Sequence, residues 1–209
     1  MTAPTRHLLS GTPVGAPGRI GPNALLQLAG VLDETGGQAL RDRIFLAGGV
    51  AGLPAPEGMI PEGPVAAVHK ALRTELGEAT ARPLARAAGV RTADYILARR
   101  IPKPAQVVLR LLPARLSARI LAKAIARNAW TFAGSGRFRV VAQKPLEFEL
   151  LDNPMVRGER SETPLCQWHE AVFETLFRRL ASKRYRCREV ACGAQGGGAC
   201  RFVLTLLPR

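Results

Sequence analysis

Cys166, Glu189, Cys192 and Cys200 bring three sulfur ligands and one carboxylate into a short stretch near the C-terminus. All four cysteines of the chain lie between residues 166 and 200, and the last two enclose the loop Cys192-Gly-Ala-Gln-Gly-Gly-Gly-Ala-Cys200. Thiolates with a carboxylate are the ligand types of a closed divalent-metal site. Three sulfurs and one oxygen suit tetrahedral zinc, with ferrous iron as the other candidate. Four protein ligands leave no open coordination position, so the expected role is structural or regulatory rather than hydrolytic. The spacing is not a paired Cys-x-x-Cys motif. The plainer alternative is that these cysteines are small buried hydrophobes and Glu189 a surface charge.

Two further residues stand beside this set. Cys187 precedes Glu189 by two positions, so strand alternation puts both on one face; it reads as a spare core thiol or a substitute ligand. His169 lies about one helical turn beyond Cys166. It is a candidate to approach the metal or to offer an axial nitrogen to a bound metalloporphyrin, against the reading of an ordinary hydrogen-bonded histidine. His69 and His7 are weaker candidates.

The elements that must position these groups follow from periodicity. Residues 1–19 read as an irregular leader. A helix is expected just after Pro22, whose missing N–H costs little in a first turn, stopping before Gly36-Gly37. A second covers 38–47. The proline-rich stretch 50–64 reads as a loop, and helices follow over 65–76, 78–88 and 92–99 with Gly77 and Gly89 as breaks. Prolines 102, 104 and 113 punctuate the next stretch, and 114–130 is a two-sided helix with Arg115, Arg119, Lys123 and Arg127 on one stripe. The period then changes to two: strands are expected over 137–143 and 146–151, joined at Lys144-Pro145. A helix over 165–181 and strands over 184–191 and 200–207 complete the chain. Cys166 then falls in a helical first turn, where free N–H groups and the helix dipole favour a thiolate. Helices before a small antiparallel sheet give an α+β expectation.

Charge is unevenly placed. Of a net +14, residues 79–144 hold 14 basic and 1 acidic side chains, a local excess of +13. Such a field attracts nucleic acid, acidic lipid headgroups, acidic proteins or carboxylated ligands without choosing among them. With only two tyrosines and two tryptophans, and no basic-aromatic interleaving, a base-stacking platform is not expected, and specific nucleic-acid binding ranks last. No apolar export segment and no long apolar run appear, so the expected location is the cytoplasm, at most peripheral to the inner-membrane surface, and disulfides are the weaker reading of the cysteines.

The segment Cys166-Gln-Trp-His-Glu-Ala-Val-Phe-Glu-Thr-Leu-Phe, followed by Glu189-Val-Ala-Cys192 and Gly-Gly-Gly-Ala-Cys200-Arg-Phe, resembles the 4-vinyl reductase domain. Three other stretches are similar to its pigment-synthesis branch, the BchJ type: Ile20-Gly-Pro-Asn, Thr92-Ala-Asp-Tyr-Ile-Leu-Ala and Ala129-Trp-Thr-Phe-Ala-Gly-Ser-Gly. The resemblance implies one ligand-binding domain over 20–209, with a helical part (20–130) and a sheet and metal-clip part (137–207). It also implies a fold similar to the ligand-binding domains of Golgi-transport subunits, commonly dimeric. The zinc ligands of aromatic-sensing relatives fall, position by position, on Cys166, Glu189, Cys192 and Cys200.

The resemblance further implies work on the 8-vinyl group of divinyl magnesium-tetrapyrrole precursors in bacteriochlorophyll synthesis. The chain lacks a Gly-x-Gly-x-x-Gly fingerprint after a strand and any evident flavin or iron–sulfur pattern, so no bound redox cofactor is expected. The leading expectation is therefore an auxiliary protein that binds or delivers the precursor. Its ring would lie between helices, and its acidic edge would meet Arg99, Arg100 and Lys103 beside Tyr95, with His169 as a further ligand-side candidate. The alternatives are the 8-vinyl reductase itself, using an external donor, and a scaffold that binds a pigment-synthesis enzyme.

Overall fold

The computed structural model describes residues 18–208, so the expected leader, with His7, lies almost entirely outside the described residues. A two-residue strand β1 (Arg19–Ile20) pairs antiparallel with β2 (Ile60–Pro61), a contact with no local sequence signal. Between them runs α1 (Asn23–Ala47), whose Ala24, Leu25, Leu28, Ala29, Val31 and Leu32 face the core at helical spacing. It is broken where expected: Gly36 and Gly37 leave the helical region, Gly37 with φ of 70°.

α2 (Glu62–Arg99) begins three residues before the expected start and is likewise interrupted at Gly77. The expected break at Gly89 does not occur. That glycine sits inside continuous helix where α2 crosses α6 (Gln167–Leu180). A Cβ there would stand 2.3 Å from the Trp168 carbonyl oxygen and 2.8 Å from the Ala171 Cβ. The residue serves close packing of two helices rather than chain reversal.

Glu62 ties this half together. Its backbone N–H donates to the Gly18 carbonyl at 2.9 Å. Its carboxylate accepts from the Ser135 N–H at 2.7 Å, the Ser135 hydroxyl at 2.6 Å and Arg157 at 3.0 Å. Burial alone would raise the Glu62 pKa; these donors hold it below the usual value.

The proline-punctuated stretch after residue 100 is not a turn but a helix, α3 (Lys103–Leu111). Pro104 falls in its first turn, where no intrahelical N–H is needed. α4 (Ala114–Arg127) ends at Asn128, short of the expected 130, and the four-residue α5 (Trp130–Ala133) follows. The sheet then forms from β3 (Arg137–Gln143), β4 (Leu146–Leu151), β5 (Tyr185–Ala191) and β6 (Ala199–Leu206). It is antiparallel, in the order β3-β4-β6-β5.

Helix α6 covers one face of that sheet. Phe173 meets Phe148 and Phe202 with ring centroids 5.1 and 5.3 Å apart, edge to face, and all three rings are fully buried. Each contributes about 1.5–3 kcal/mol by burial. The opposite face carries an in-register row in which Glu149 lies between Arg139 at 2.5 Å and Arg201 at 3.1 Å. α6 also closes the β5 edge: the Cys187 and Glu189 amides donate to Glu174 and Glu170 at 3.0 and 2.8 Å. The result is an α+β fold with N-terminal helices packed on a four-stranded antiparallel sheet. Among the described residues no helix is long and apolar enough to cross a membrane.

Replacing Gly89 by Val is expected to lower unfolding stability by about 1–3 kcal/mol through overpacking against Trp168 and Ala171. Urea denaturation measures it; an unchanged midpoint would show that the crossing is looser than described.

Candidate metal centre

Each of the four residues arrives on a different piece of backbone. Cys166 caps the start of α6, Glu189 lies in β5, Cys192 follows that strand, and Cys200 is the second residue of β6. Glu189 and Cys192 are three apart, an odd separation that a regular strand would send to opposite faces. A bulge resolves the conflict. Glu189 pairs with Phe202 but Ala191 with Arg201, so Val190 is the extra residue and the strand turns before Cys192. Val190 is accordingly exposed while Glu189 and Cys192 are buried.

One ligand atom from each of the four residues lies within 4.8 Å of every other. Cys166 Sγ stands 3.4 Å from Cys200 Sγ and 3.9 Å from Cys192 Sγ, and the last pair is also 3.9 Å apart. Glu189 Oε2 accepts the Cys166 backbone N–H at 2.7 Å, capping α6 from another element. Its other oxygen, Oε1, is buried without a hydrogen-bond partner. Three sulfurs and an orphaned carboxylate oxygen converging in one buried place are what a divalent cation satisfies, so the residues fit such an ion.

The electrostatics agree. Burial pushes the Cys166 thiol well up, and its two sulfur neighbours push it further. Burial, then the nearby Cys192, raises Glu189 to about 8. Cys200 is the exception, lowered to about 4 because hydrogen bonds from Cys166 and Cys192 converge on it ahead of the opposing burial. The expected helix-end stabilisation of a Cys166 thiolate is therefore corrected. Cys166 precedes the first turn, and desolvation among like groups outweighs the helix dipole.

Asn153, which spacing did not single out, donates to the Cys166 and Cys200 sulfurs at 3.3 and 3.4 Å, and the Gly193 N–H reaches Cys200 at 3.4 Å. The only local hint was an Asn-Pro turn at 153–154. Gln195 accepts the Cys192 N–H at 2.9 Å and so shapes the glycine loop. Cys187 is buried on the same face as Glu189 but stands outside the cluster. His169 is buried among Trp168, Phe132, Phe173 and Phe202, and neither ring nitrogen has a hydrogen-bond partner. Burial lowers its pKa to about 4, a drop only partly offset by the nearby Phe132 carbonyl.

The remaining ligand-side candidates lie elsewhere. Arg100 packs over the Tyr95 ring at 5.9 Å, and Arg99, Arg100 and Lys103 are exposed at the α2–α3 junction, apart from His169. None of them lines the main cleft, an open space of about 920 Å³ between α2, α3 and α6. Its cations are Arg86, Arg110, Arg178, Arg179 and Lys183, against the single carboxylate of Glu174. Arg86 is pinned by Glu170 and Glu174 at 2.7 and 2.9 Å.

A four-stranded antiparallel sheet whose helix and hairpin close on a Cys/Glu cluster is the sheet half of a 4-vinyl reductase domain: residues 146–206, which contain all four cluster residues, match the model of that domain family. The chain belongs to this 4-vinyl reductase domain family, on the branch of the bacteriochlorophyll synthase 23 kDa chains. It is 53% identical to that chain of Cereibacter sphaeroides over 205 residues, covering 98% of each, and 50% identical to that of Rhodobacter capsulatus over 186 residues, covering 89% and 86%. In fold it is similar to an unliganded Fe(II) H-NOX protein from K. algicida, with TM-score 0.61, 10% identity and coverage of 91% and 98%. An oxygen-binding H-NOX domain related to soluble guanylate cyclases matches at TM-score 0.51 and 12% identity, over 88% and 93%. These neighbours correct the expected likeness to Golgi-transport subunits. The long α1–α2 half, outside the segment that carries the cysteine motif, decides which solved fold the whole chain matches.

Glu189 does two jobs that substitution separates. In chelator-treated protein Glu189→Gln keeps an acceptor for the Cys166 N–H, whereas Glu189→Ala removes it and is expected to be less stable than Gln by about 1 kcal/mol. Thermal unfolding of the two variants reads the difference; equal midpoints would mean the cap is energetically idle.

Proposed function

We propose that this protein is an auxiliary factor of bacteriochlorophyll synthesis that binds a divinyl magnesium-tetrapyrrole precursor and presents it for 8-vinyl reduction. The observation that carries the reading is the 53% identity to a bacteriochlorophyll synthase 23 kDa chain over 98% of both chains. The cationic cleft supports it chemically. A tetrapyrrole has a flat apolar ring and carboxylate or ester edges. Arg110, Arg179 and Lys183 supply charge-assisted donors for the edge, and Val90, Leu180 and Ala181 supply the apolar lining. These cations replace Arg99, Arg100 and Lys103 as the preferred edge-binding set because they line a common space.

The metal is zinc in this reading. Tetrahedral coordination at about 2.3 Å puts sulfurs about 3.8 Å apart, close to the 3.4 and 3.9 Å separations. Bound there by Cys166, Glu189, Cys192 and Cys200, zinc supplies structural cross-linking. The chain's own residues do the rest: Asn153 and Gly193 hold the sulfurs, Glu189 caps α6, and α6 presents Arg178 and Arg179 to the cleft. Loss of one ligand then disorders the cleft wall indirectly.

Anaerobically purified protein is expected to carry one zinc per chain by metal analysis, and Cys200→Ser to lose it. Absorbance titration with divinyl and monovinyl magnesium precursors should show stoichiometric binding without turnover in NADPH. Arg110→Glu with Arg179→Glu should weaken that binding by roughly ten- to a hundredfold, the value of a charge-assisted contact. Ethyl product from the protein and NADPH alone would establish the reductase instead, and a flat titration would remove the pigment reading.

A further inference from the structure

Two consecutive helices turn aliphatic side chains to the outside. α3 directs Gln106 and Leu109 inward; the Gln106 amide donates to the Leu97 and Ile101 carbonyls at 2.6 and 2.8 Å. Val107, Val108 and Leu111 meanwhile stand 52%, 55% and 80% exposed. Positions 104, 107, 108 and 111 share one side of a helix, so Pro104 extends this ridge. A surface helix in water would place its glutamine out and its valines in.

α4 continues the pattern. Ser117, Ala118, Leu121, Ala122 and Ile125 face the core, while Leu116 and Ile120 are exposed within the arc of Arg115, Arg119, Lys123 and Arg127. Both helices are fastened to the end of α6. Arg110 donates to the Arg179 carbonyl at 3.2 Å, and Ser117 to that of Leu180 at 3.1 Å. The two ridges therefore occupy one corner of the molecule. From residue 95 to residue 146 the chain has 11 lysines and arginines and no aspartate or glutamate.

Single exposed aliphatic residues are ordinary; a group of them inside a field of one sign is not. We propose that the α3–α4 corner docks on an anionic phospholipid surface, with Val107, Val108, Leu111, Leu116 and Ile120 entering the headgroup boundary and the flanking Lys and Arg side chains meeting the phosphates. The charge selects an acidic partner. An outward helical ridge suits a fluid surface that adapts to it, whereas a protein face would need matching pockets. Attachment is peripheral, since no described helix crosses a bilayer. The inference is independent of the pigment reading.

The full chain is sedimented with vesicles of phosphatidylcholine, with and without phosphatidylglycerol. Binding is expected only with phosphatidylglycerol. Val108→Ser with Leu111→Ser, which leaves the charge unchanged, should weaken it by about tenfold, and so should Arg115→Gln with Arg119→Gln and Lys123→Gln. All five positions are exposed, so thermal midpoints should stay put. Absence of vesicle binding overturns the proposal. So does binding that the double serine variant retains within about twofold, which would be charge attraction alone. Capture by an acidic protein while vesicles are ignored also overturns it.

Discussion

Three thiols and a carboxylate buried together form an arrangement that is unfavourable by itself. As acids they offer too few acceptors and leave Glu189 Oε1 without a partner; as anions they repel in a place that water does not reach. The raised Cys166 thiol and the raised Glu189 carboxyl express that conflict, and the donors gathered on Cys200 relieve it at one sulfur only. A cation resolves it at all four. The start of α6, the end of β5 and the start of β6 are mutually placed by whatever satisfies this cluster.

α6 transmits that placement. Its Phe173 and Phe177 sit in the aromatic core above the sheet. Its Glu170 and Glu174 each serve two neighbours, accepting a β5 amide and pairing with Arg86 of α2. Because Gly89 lets α2 approach closely, Arg86 reaches both carboxylates from the adjacent turn. The cleft wall and the metal cluster thus share one helix, whose N-terminal end meets the sulfurs and whose C-terminal end carries Arg178 and Arg179.

Metal chemistry and charge are divided along the chain. The segment that matches the 4-vinyl reductase domain holds the whole cluster, while the excess of positive charge belongs to the stretch before it. The two meet only in the tertiary structure, where Arg86 and Arg110 from the helical half join Arg178, Arg179 and Lys183 around one open space. The candidates Arg99, Arg100 and Lys103 belong to the same basic stretch, but α3 carries them to the exposed α2–α3 junction.

Side-chain chemistry and period were readable directly from residues. The four-residue ligand set, the Arg137–Gln143 and Leu146–Leu151 strands, the Gly36-Gly37 and Gly77 breaks and the helices-then-sheet order all depend on properties of neighbouring positions. Through-space relations decided the rest. Gly89 reads locally as a breaker yet packs against Trp168, and Pro104 reads as a turn yet opens a helix that faces its valines outward. Glu189 and Cys192 are out of phase until a bulge realigns them, and Asn153 reaches two sulfurs that follow it by whole elements. A residue's type and spacing set what it can do, whereas its partner is chosen by packing between segments remote in sequence, which no local period encodes.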